Sequence, residues 1–222
     1  MPPQLIRKIT ATITSGRPGF GYGMTETNSY GPKIEGADAL AKTTSAGRAL
    51  PVMEVKILDP QGEEVPNGQL GEICFFGANV IRRYWNKPEA TASAFHGKWL
   101  RTGDIGHLDE DGFVYVDDRL KDVVIRGGEN VYCAEVEAAI YEHPSVHEVA
   151  VFGIADERLG EIVAAAIYAK PAAELEVKEI RSSLQGRIAS FKIPAQLFIV
   201  SDPLPRGATG KIQKKELREL FQ

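Results

Sequence analysis

The chain has 222 residues, of which 43% are hydrophobic and 25% are charged, enough apolar material for one large or two modest hydrophobic cores. Its formal charge of -4 gives no broad cationic field, which argues against nonspecific binding to nucleic acid or to an anionic membrane. The two cysteines, Cys74 and Cys133, support neither a disulfide framework nor a cysteine-rich metal site. No apolar run approaches the ~20 residues needed to cross a bilayer, and the N-terminus lacks a signal-peptide pattern. We therefore expect a soluble protein of the reducing cytoplasm.

The first half of the chain predicts a helix, a loop and then a series of strands. Apolar residues around Leu5 and Ile9 have helical spacing, and the glycines within residues 16–31 predict a loop. From residue 52 to residue 116, short alternating runs separated by turn signals favour antiparallel β-structure in a small barrel or sandwich. The predicted strands are Met53–Ile57, Glu72–Phe76 and Phe113–Val116.

The second half alternates between strands and helices. The predicted strands are Val123–Arg126, Val149–Ile154, Ile162–Ala169 and Gln196–Val200, and helices are predicted at Ala134–Glu142 and at the C-terminus. Val177, Ile180, Leu184 and Ile188 repeat at helical spacing and predict an amphipathic helix over that span. Because the pattern changes from hairpins to alternating helix and strand, we place a domain boundary near Lys121.

Two glycine-rich segments suggest phosphate binding but fit neither familiar template. Residues 19–23 hold three glycines, whose missing side chains let backbone N–H groups approach a ligand closely. They do not form a dinucleotide fingerprint, because Glu26 occupies the position of the third glycine. Residues 207–211 are not a Walker A loop, because Pro205 stands where its first glycine belongs.

Five polar residues are candidates for nucleotide chemistry. A hydroxyl beside a carboxylate, as in Thr25-Glu26, can bind a phosphate oxygen and its magnesium ion. Asp104 can accept hydrogen bonds from sugar hydroxyls, and Arg119 can donate to these or to phosphate. The ammonium group of Lys211 can neutralise charge that develops between a carboxylate and a phosphate. Taken singly, each also has a structural interpretation as a helix cap, a turn residue, a surface ion pair or a solvated lysine.

The four histidines do not predict a metal site. His143 and His147 are four residues apart, but Pro144 breaks the helix that would align them. We therefore interpret the histidines as structural.

The order of the motifs along the chain is more specific than any one of them. They are Gly21-Tyr22-Gly23-Met24-Thr25-Glu26-Thr27, Gly71-Glu72-Ile73, Arg101-Thr102-Gly103-Asp104, Asp118-Arg119-Leu120-Lys121-Asp122, Gly127-Gly128-Glu129-Asn130-Val131 and Leu204-Pro205-Arg206-Gly207-Ala208-Thr209-Gly210-Lys211-Ile212. In order and spacing this series resembles the adenylate-forming (AMP-binding) enzyme superfamily, which includes acyl-CoA synthetases, peptide-synthetase adenylation domains and firefly luciferase. The resemblance runs from about Gly21 to the C-terminus.

The resemblance implies an α+β chain in two parts. Residues 1–120 would be the C-terminal portion of the large adenylate-forming domain, with a small antiparallel β-barrel at about residues 45–120. Residues 121–222 would be the family's mobile, mixed α/β C-terminal domain, with its hinge at Lys121.

The resemblance also implies a reaction and its residues. Members of the family convert a carboxylate and MgATP to an acyl-adenylate and pyrophosphate, then pass the acyl group to a thiol. By motif, Thr25 would contact the α-phosphate, Glu26 would help to hold magnesium, and Lys211 would bridge carboxylate and phosphate. Asp104 would bind the ribose hydroxyls with assistance from Arg119. The remaining residues implied in ATP or AMP binding are Gly21, Tyr22, Gly23 and Met24.

Among the branches of the family, two segments look like CoA ligases of fatty or aryl acids. These are Gly127–Val131 and Asp156–Glu161. After a hinge rotation the Gly127-Gly128 loop would line the path of the pantetheine arm, although the same loop can be a simple hairpin turn. Lys192, in Phe191-Lys192-Ile193-Pro194, would contact the CoA phosphates. The implied ligands are therefore ATP, Mg²⁺, CoA as a substrate and a carboxylic acid.

One expected motif is missing: the family's Ser/Thr/Gly-rich loop ending in Pro-Lys-Gly does not occur in the chain. We therefore expect a C-terminal fragment of a ligase that is inactive alone, with most of its first forty residues lacking packing partners or repacked in a homo-oligomer. Two alternatives stay open. One is a noncatalytic module that binds CoA or a carrier protein through the region after Lys121, and the other is an adenylation domain that serves a carrier protein.

Overall fold

The structure, a computed structural model, describes residues 9, 11–13, 15–17, 19–171, 173–208 and 210–221. It divides into two compact units, Met1–Leu120 and Lys121–Gln222. Most of the helix predicted around Leu5 and Ile9 lies outside the described residues. Within the part of the chain that is described, no helix is both long and apolar enough to span a bilayer.

The first unit consists mainly of antiparallel strands. Its strands are β1 (Gly19–Gly21), β2 (Lys33–Glu35), β3 (Ser45–Gly47), β4 (Met53–Leu58), β5 (Gly71–Gly77), β6 (Phe95–His96), β7 (Trp99–Leu108) and β8 (Val114–Arg119). Its helices are α1 (Gly36–Ala41) and α2 (Pro88–Ser93), and a 3-10 turn covers Thr25–Thr27. Strands β1 and β2 pair with each other, and the other six form a sheet of order β3-β8-β7-β5-β4 in which β6 pairs with β7.

The mixed α+β, sheet-rich class predicted from the sequence is confirmed, but the barrel is not. The strand order of the larger sheet begins at β3 and ends at β4, and among the described residues no pairing joins these two strands. The sheet follows the alternation predicted for β4, where Met53 and Ile57 are buried and Glu54 between them is exposed.

The early part of the first unit has packing partners, contrary to expectation. Residues 16–31, predicted as a loop, contain β1 and the 3-10 turn. Ile34 and Ala39 are buried in a small cluster with Phe113, so residues 19–41 pack onto the sheet that follows them in the sequence.

The second unit is a five-stranded sheet with helices on both faces. Its strands are β9 (Val124–Arg126), β10 (Glu129–Val131), β11 (Val146–Asp156), β12 (Gly160–Ala169) and β13 (Gln196–Val200), and its helices are α3 (Cys133–Tyr141), α4 (Val177–Leu184) and α5 (Lys214–Phe221). Strands β11 and β12 form a long antiparallel hairpin. Strand β12 also pairs in parallel with β13, and at Gly160 it pairs with Arg126 of β9.

Successive apolar side chains of the central β11–β12 hairpin face opposite sides of the sheet, so this unit has two apolar cores. Val151 faces a core that includes Ile140 of α3 and Leu184 of α4. The next residue, Phe152, faces the opposite core with Leu217 of α5. This is the period of two expected of a strand that is covered on both faces.

Helix α4 is shorter than predicted. It ends at Leu184, after which Gln185 is extended and Gly186 has a φ of 75°. A positive φ suits glycine and stops the helix. Ile188 packs against the same core from the following irregular segment, so its helical spacing in the sequence does not reflect a helix.

Candidate functional site

Three residues from separate motifs meet in the first unit. Asp104 of β7 lies directly opposite Arg119 of β8, with Asp104 Oδ1 3.6 Å from Arg119 Nε. Tyr22 Oη donates a hydrogen bond of 2.5 Å to Asp104 Oδ2. The ring of Tyr22 packs at 5.7 Å against that of Phe75, and burial, followed by the bond to Asp104, raises the pKa of Tyr22 well above its usual range. A carboxylate is thus held between a neutral phenol and a guanidinium group, and it can accept hydrogen bonds from hydroxyls.

A buried glutamate positions the segment that carries Asp104. Glu72 of β5 is 8% exposed, and its carboxylate accepts hydrogen bonds from Arg101 Nε at 2.8 Å and from the Gly103 backbone N–H at 3.0 Å. Gly103 has a φ of 73°, which lets β7 bend just before Asp104. The Gly71-Glu72 and Arg101–Asp104 motifs are therefore joined directly by hydrogen bonds.

The glycines of residues 21–23 have a packing role that the sequence did not predict. A Cβ atom on Gly23 would lie 2.8 Å from the Ser29 carbonyl oxygen, and one on Gly21 would lie 3.0 Å from that of Pro32. The Tyr22 N–H donates to the same Pro32 oxygen at 3.0 Å. The absent side chains thus admit a neighbouring backbone segment, and any role of this loop in binding a nucleotide stays a prediction.

The Thr25-Glu26 pair lies in a short, well-anchored turn. Met24 begins it, with its N–H donating to Thr27 Oγ1 at 3.2 Å. Glu26 Oε1 accepts a hydrogen bond of 2.8 Å from Tyr84 Oη, and burial, followed by this bond, raises the pKa of Tyr84. The backbone of Glu26 accepts a further hydrogen bond from the N–H of Ile81 at 2.8 Å. The carboxylate therefore has a defined orientation.

In the second unit, Gly127 and Gly128 form the two-residue turn of the β9–β10 hairpin. Arg126 pairs with Glu129, and the glycines between them have φ values of 60° and 89°. Positive φ at both central residues is typical of the type I′ hairpin turn. The hairpin interpretation is therefore correct, and the tight turn leaves a narrow surface without side chains.

The segment that carries Lys211 folds back on itself. Arg206 and Ile212 form an antiparallel bridge, and the Gly207 N–H donates to the Lys211 carbonyl oxygen at 2.9 Å. Lys211 is exposed, and Thr209 lies outside the described residues. The loop thus presents the lysine to solvent on a hydrogen-bonded base.

Two other predicted residues have defined surroundings. Lys192 Nζ lies 2.8 Å and 2.6 Å from the two carboxylate oxygens of Glu135, so its charge is already paired. Lys121 lies in a short 3-10 turn, Leu120–Asp122.

The chain matches two protein-family models in sequence. The model of the AMP-binding enzyme matches residues 1–85, and that of the AMP-binding enzyme C-terminal domain matches residues 135–211. The chain belongs to the AMP-binding enzyme family.

The relatives of this AMP-binding enzyme chain include acid–CoA ligases. It is 42% identical over 199 residues to the indoleacetate–CoA ligase of Aromatoleum aromaticum, covering 90% of this chain and 39% of that protein. The fold matches o-succinylbenzoate CoA synthetase from Bacillus subtilis in complex with ATP and magnesium ion, with a TM-score of 0.88 and 35% identity over 98% of this chain and 44% of that one. It also matches ATP-bound MatB from Rhodopseudomonas palustris, with a TM-score of 0.89 and 36% identity over 99% of this chain and 43% of that one. The chain thus spans about two fifths of the length of these relatives.

The residues present fit a magnesium ion that is bound mainly through a substrate. Within the described residues, no group of three or more histidine, cysteine or acidic side chains could hold a metal ion. Mg²⁺ is commonly held by one or two carboxylates together with substrate phosphates. Glu26 is a carboxylate whose orientation Tyr84 fixes, and its role in holding magnesium stays a prediction.

Sequence reasoning missed Tyr84 and assigned no role to Glu72. Tyr84 lies 58 residues from Glu26 and belongs to none of the motifs that were singled out. The tripeptide Gly71-Glu72-Ile73 contains Glu72, but the hydrogen bonds of its carboxylate to Arg101 and Gly103 cannot be read from that tripeptide.

Proposed function

We propose that the chain is the C-terminal part of an ATP-dependent carboxylic acid–CoA ligase that acts on a fatty or aryl acid. The observation that carries this proposal is that Tyr22 and Arg119 both contact the Asp104 carboxylate, because three motifs of the family supply one residue each. The similarity to acid–CoA ligases over 90% of the chain supports the same conclusion.

In the first step, a substrate carboxylate oxygen attacks the α-phosphorus of ATP, and the bond to the β-phosphate breaks to release pyrophosphate. Asp104 accepts hydrogen bonds from the ribose hydroxyls, and Arg119 keeps that carboxylate oriented. Thr25 donates to the α-phosphate, and Lys211 neutralises the charge shared by carboxylate and phosphate. Mg²⁺ bound at Glu26 would offset the charge of the phosphates.

In the second step, the thiolate of CoA attacks the acyl carbon, the acyl–phosphate bond breaks, and AMP leaves. The family's domain rotation about Lys121 would exchange the Lys211 loop for the Gly127-Gly128 turn. A turn without side chains leaves room for a pantetheine arm, whereas a lysine in the same place would obstruct it. Lys192 would reach the CoA phosphates only by releasing Glu135.

The direct test is acid-dependent exchange of pyrophosphate into ATP. We expect exchange from the full-length protein and none from the 222-residue chain alone, which lacks the phosphate-gripping loop. Exchange by the chain alone would refute the proposal that it is an inactive part of the ligase.

A binding experiment separates the proposal from the noncatalytic alternative. Calorimetric titration of this chain with AMP should show binding that Asp104→Asn weakens by about tenfold, since a charged hydrogen-bond acceptor is lost. An exposed variant, Glu54→Gln, is the matched control and should bind AMP like the original chain. Binding of CoA without any binding of AMP would instead favour a noncatalytic CoA-binding module.

A further inference from the structure

Two glutamates of the second unit form hydrogen bonds to the two segments that the proposed function uses in different steps, the segment of the Lys211 loop and that of the Gly127-Gly128 turn. One is Glu148 in β11, and the other is Glu161 in β12. Neither belongs to the Lys211 loop or to the Gly127-Gly128 turn, and neither has been given a role in the reaction above.

Glu148 anchors the Lys211 loop through both of its carboxylate oxygens. Its Oε1 lies 2.6 Å from Arg206 Nη2, and its Oε2 accepts the Leu204 N–H at 3.0 Å. Arg206 in turn donates a hydrogen bond of 2.7 Å from Nη1 to the Gly210 carbonyl oxygen. The Glu148 side chain is 13% exposed and the Arg206 side chain is 43% exposed, so water screens the pair mainly from the side of the arginine. A chain of hydrogen bonds thus runs from the sheet to the residue before Lys211.

Glu161 anchors the glycine hairpin. Its Oε2 accepts the N–H of Ile125, in β9, at 2.8 Å, and the Gly127 N–H donates to the Leu159 carbonyl oxygen at 2.7 Å. Gly153 makes room for this carboxylate, since a Cβ atom there would lie 2.7 Å from Glu161 Oε1. The hairpin is thus fixed at the start of β12.

The two anchors are separated along the same hairpin. Glu148 pairs with Tyr168, and Ala155 pairs with Glu161, so the two positions are seven residue steps apart along β11. At about 3.3 Å per residue they are about 23 Å apart along the strands. Val163, two residues after Glu161, faces the core of α3 and α4, whereas Ala150, two residues after Glu148, faces the core of α5. The anchors therefore lie at opposite ends and on opposite faces of the sheet.

We propose that Glu148 and Glu161 are separate positioning residues, Glu148 for the acyl-adenylate step through the Lys211 loop and Glu161 for the thioester step through the Gly127-Gly128 turn. This inference rests on the proposed function. Because the anchors share no contact, loss of one should leave the segment held by the other in place.

The structural arm of the test uses hydrogen exchange on this chain. Glu148→Gln should speed exchange at the Gly207 amide and its neighbours by about tenfold and leave the Gly127 amide unchanged, because a charged acceptor is replaced by a neutral one. Glu161→Gln should do the reverse. Glu219→Gln, which alters an exposed ion pair of α5, is the matched control and should change neither segment. Equal effects of both variants on both segments, or no effect, would overturn the inference.

The catalytic arm uses the full-length protein and measures each half-reaction separately. Glu148→Gln should slow acid-dependent ATP–pyrophosphate exchange by about tenfold and spare thioester formation from supplied hexanoyl- or benzoyl-adenylate and CoA. Glu161→Gln should spare the exchange and slow the thioester step. Equal loss in both half-reactions would show a merely structural role and defeat the inference.

Two further variants guard against a folding defect. Gly153→Ala displaces the Glu161 carboxylate without removing it and should reproduce the Glu161→Gln pattern, whereas Arg206→Lys should show a weaker form of the Glu148→Gln pattern. If the original full-length protein shows no acid-dependent ATP–pyrophosphate exchange, the proposed function fails. Amide hydrogen exchange on this chain would still decide whether the two glutamates act separately.

Discussion

Alkaline pH should remove the stability that Tyr22 gives to the first unit. Burial and the hydrogen bond to Asp104 raise the pKa of this phenol in the folded chain, so the folded chain holds the proton more tightly than the unfolded chain does. The contribution is fully present below the ordinary tyrosine pKa of about 10 and is lost as pH rises above that value toward the folded pKa. One pH unit above it, at about pH 11, the loss amounts to about 1.4 kcal/mol.

The assay is urea denaturation at pH 7 and at pH 11, followed by tryptophan fluorescence. The two tryptophans, Trp85 and Trp99, lie in the first unit, so the signal reports the unfolding of that unit. Tyr22→Phe keeps the ring against Phe75 and removes the titrating group. The stability advantage of the original chain over this variant should shrink by about 1.4 kcal/mol between the two pH values. An advantage that is independent of pH would refute the assignment of a buried, protonated phenol at this position.

Three further predictions concern the proposed reaction in the full-length protein. Lys211→Ala should abolish acid-dependent ATP–pyrophosphate exchange yet largely spare thioester formation from supplied acyl-adenylate, and equal loss in both assays would contradict the role given to Lys211. Tyr84→Phe removes the donor that orients Glu26, so half-maximal exchange should need about three- to tenfold more Mg²⁺, and an unchanged Mg²⁺ titration would argue against magnesium binding there. Gly128→Ala places a side chain at a φ of 89°, which should cost about 1 kcal/mol in urea denaturation followed by circular dichroism. It should also slow the thioester step selectively, and an equal slowing of ATP–pyrophosphate exchange would contradict this.

The elements that the sequence predicted well are those with a strong local period. The alternation predicted at Met53–Ile57 and the apolar runs of the β11–β12 hairpin each reflect which face of a strand is buried, and neighbouring residues carry that information. Strand β7 was missed because its Arg101–Gly106 stretch holds three charged or polar residues and two glycines. Its pairing with β5 and β8 comes from distant segments, and no local pattern shows it.

The site divides in the same way. Motif order identified Tyr22, Asp104 and Arg119 as candidates. The structure brings Asp104 and Arg119 together because β7 and β8 are neighbours, and Tyr22 joins them through its hydrogen bond to Asp104. The partnership of Tyr84 with Glu26 could not be predicted, since it depends on how the loop after β5 folds back over the 3-10 turn. Hydrogen bonds of this kind join residues that are far apart in the sequence, so no periodic pattern of residues reveals them.

Both cysteines of the chain are buried, so we expect them to react slowly with thiol reagents in the folded protein. Burial raises the pKa of Cys74 to about 12, and the Cys133 thiol donates to the carbonyl oxygen of Asp122 at 2.9 Å. A single cysteine introduced on an exposed helix position such as Glu219 would therefore be the preferred site for a maleimide dye, without first removing the natural thiols. Energy transfer from Trp85 and Trp99 to that dye would then follow, in solution, any rearrangement of one unit against the other when ATP or CoA is added.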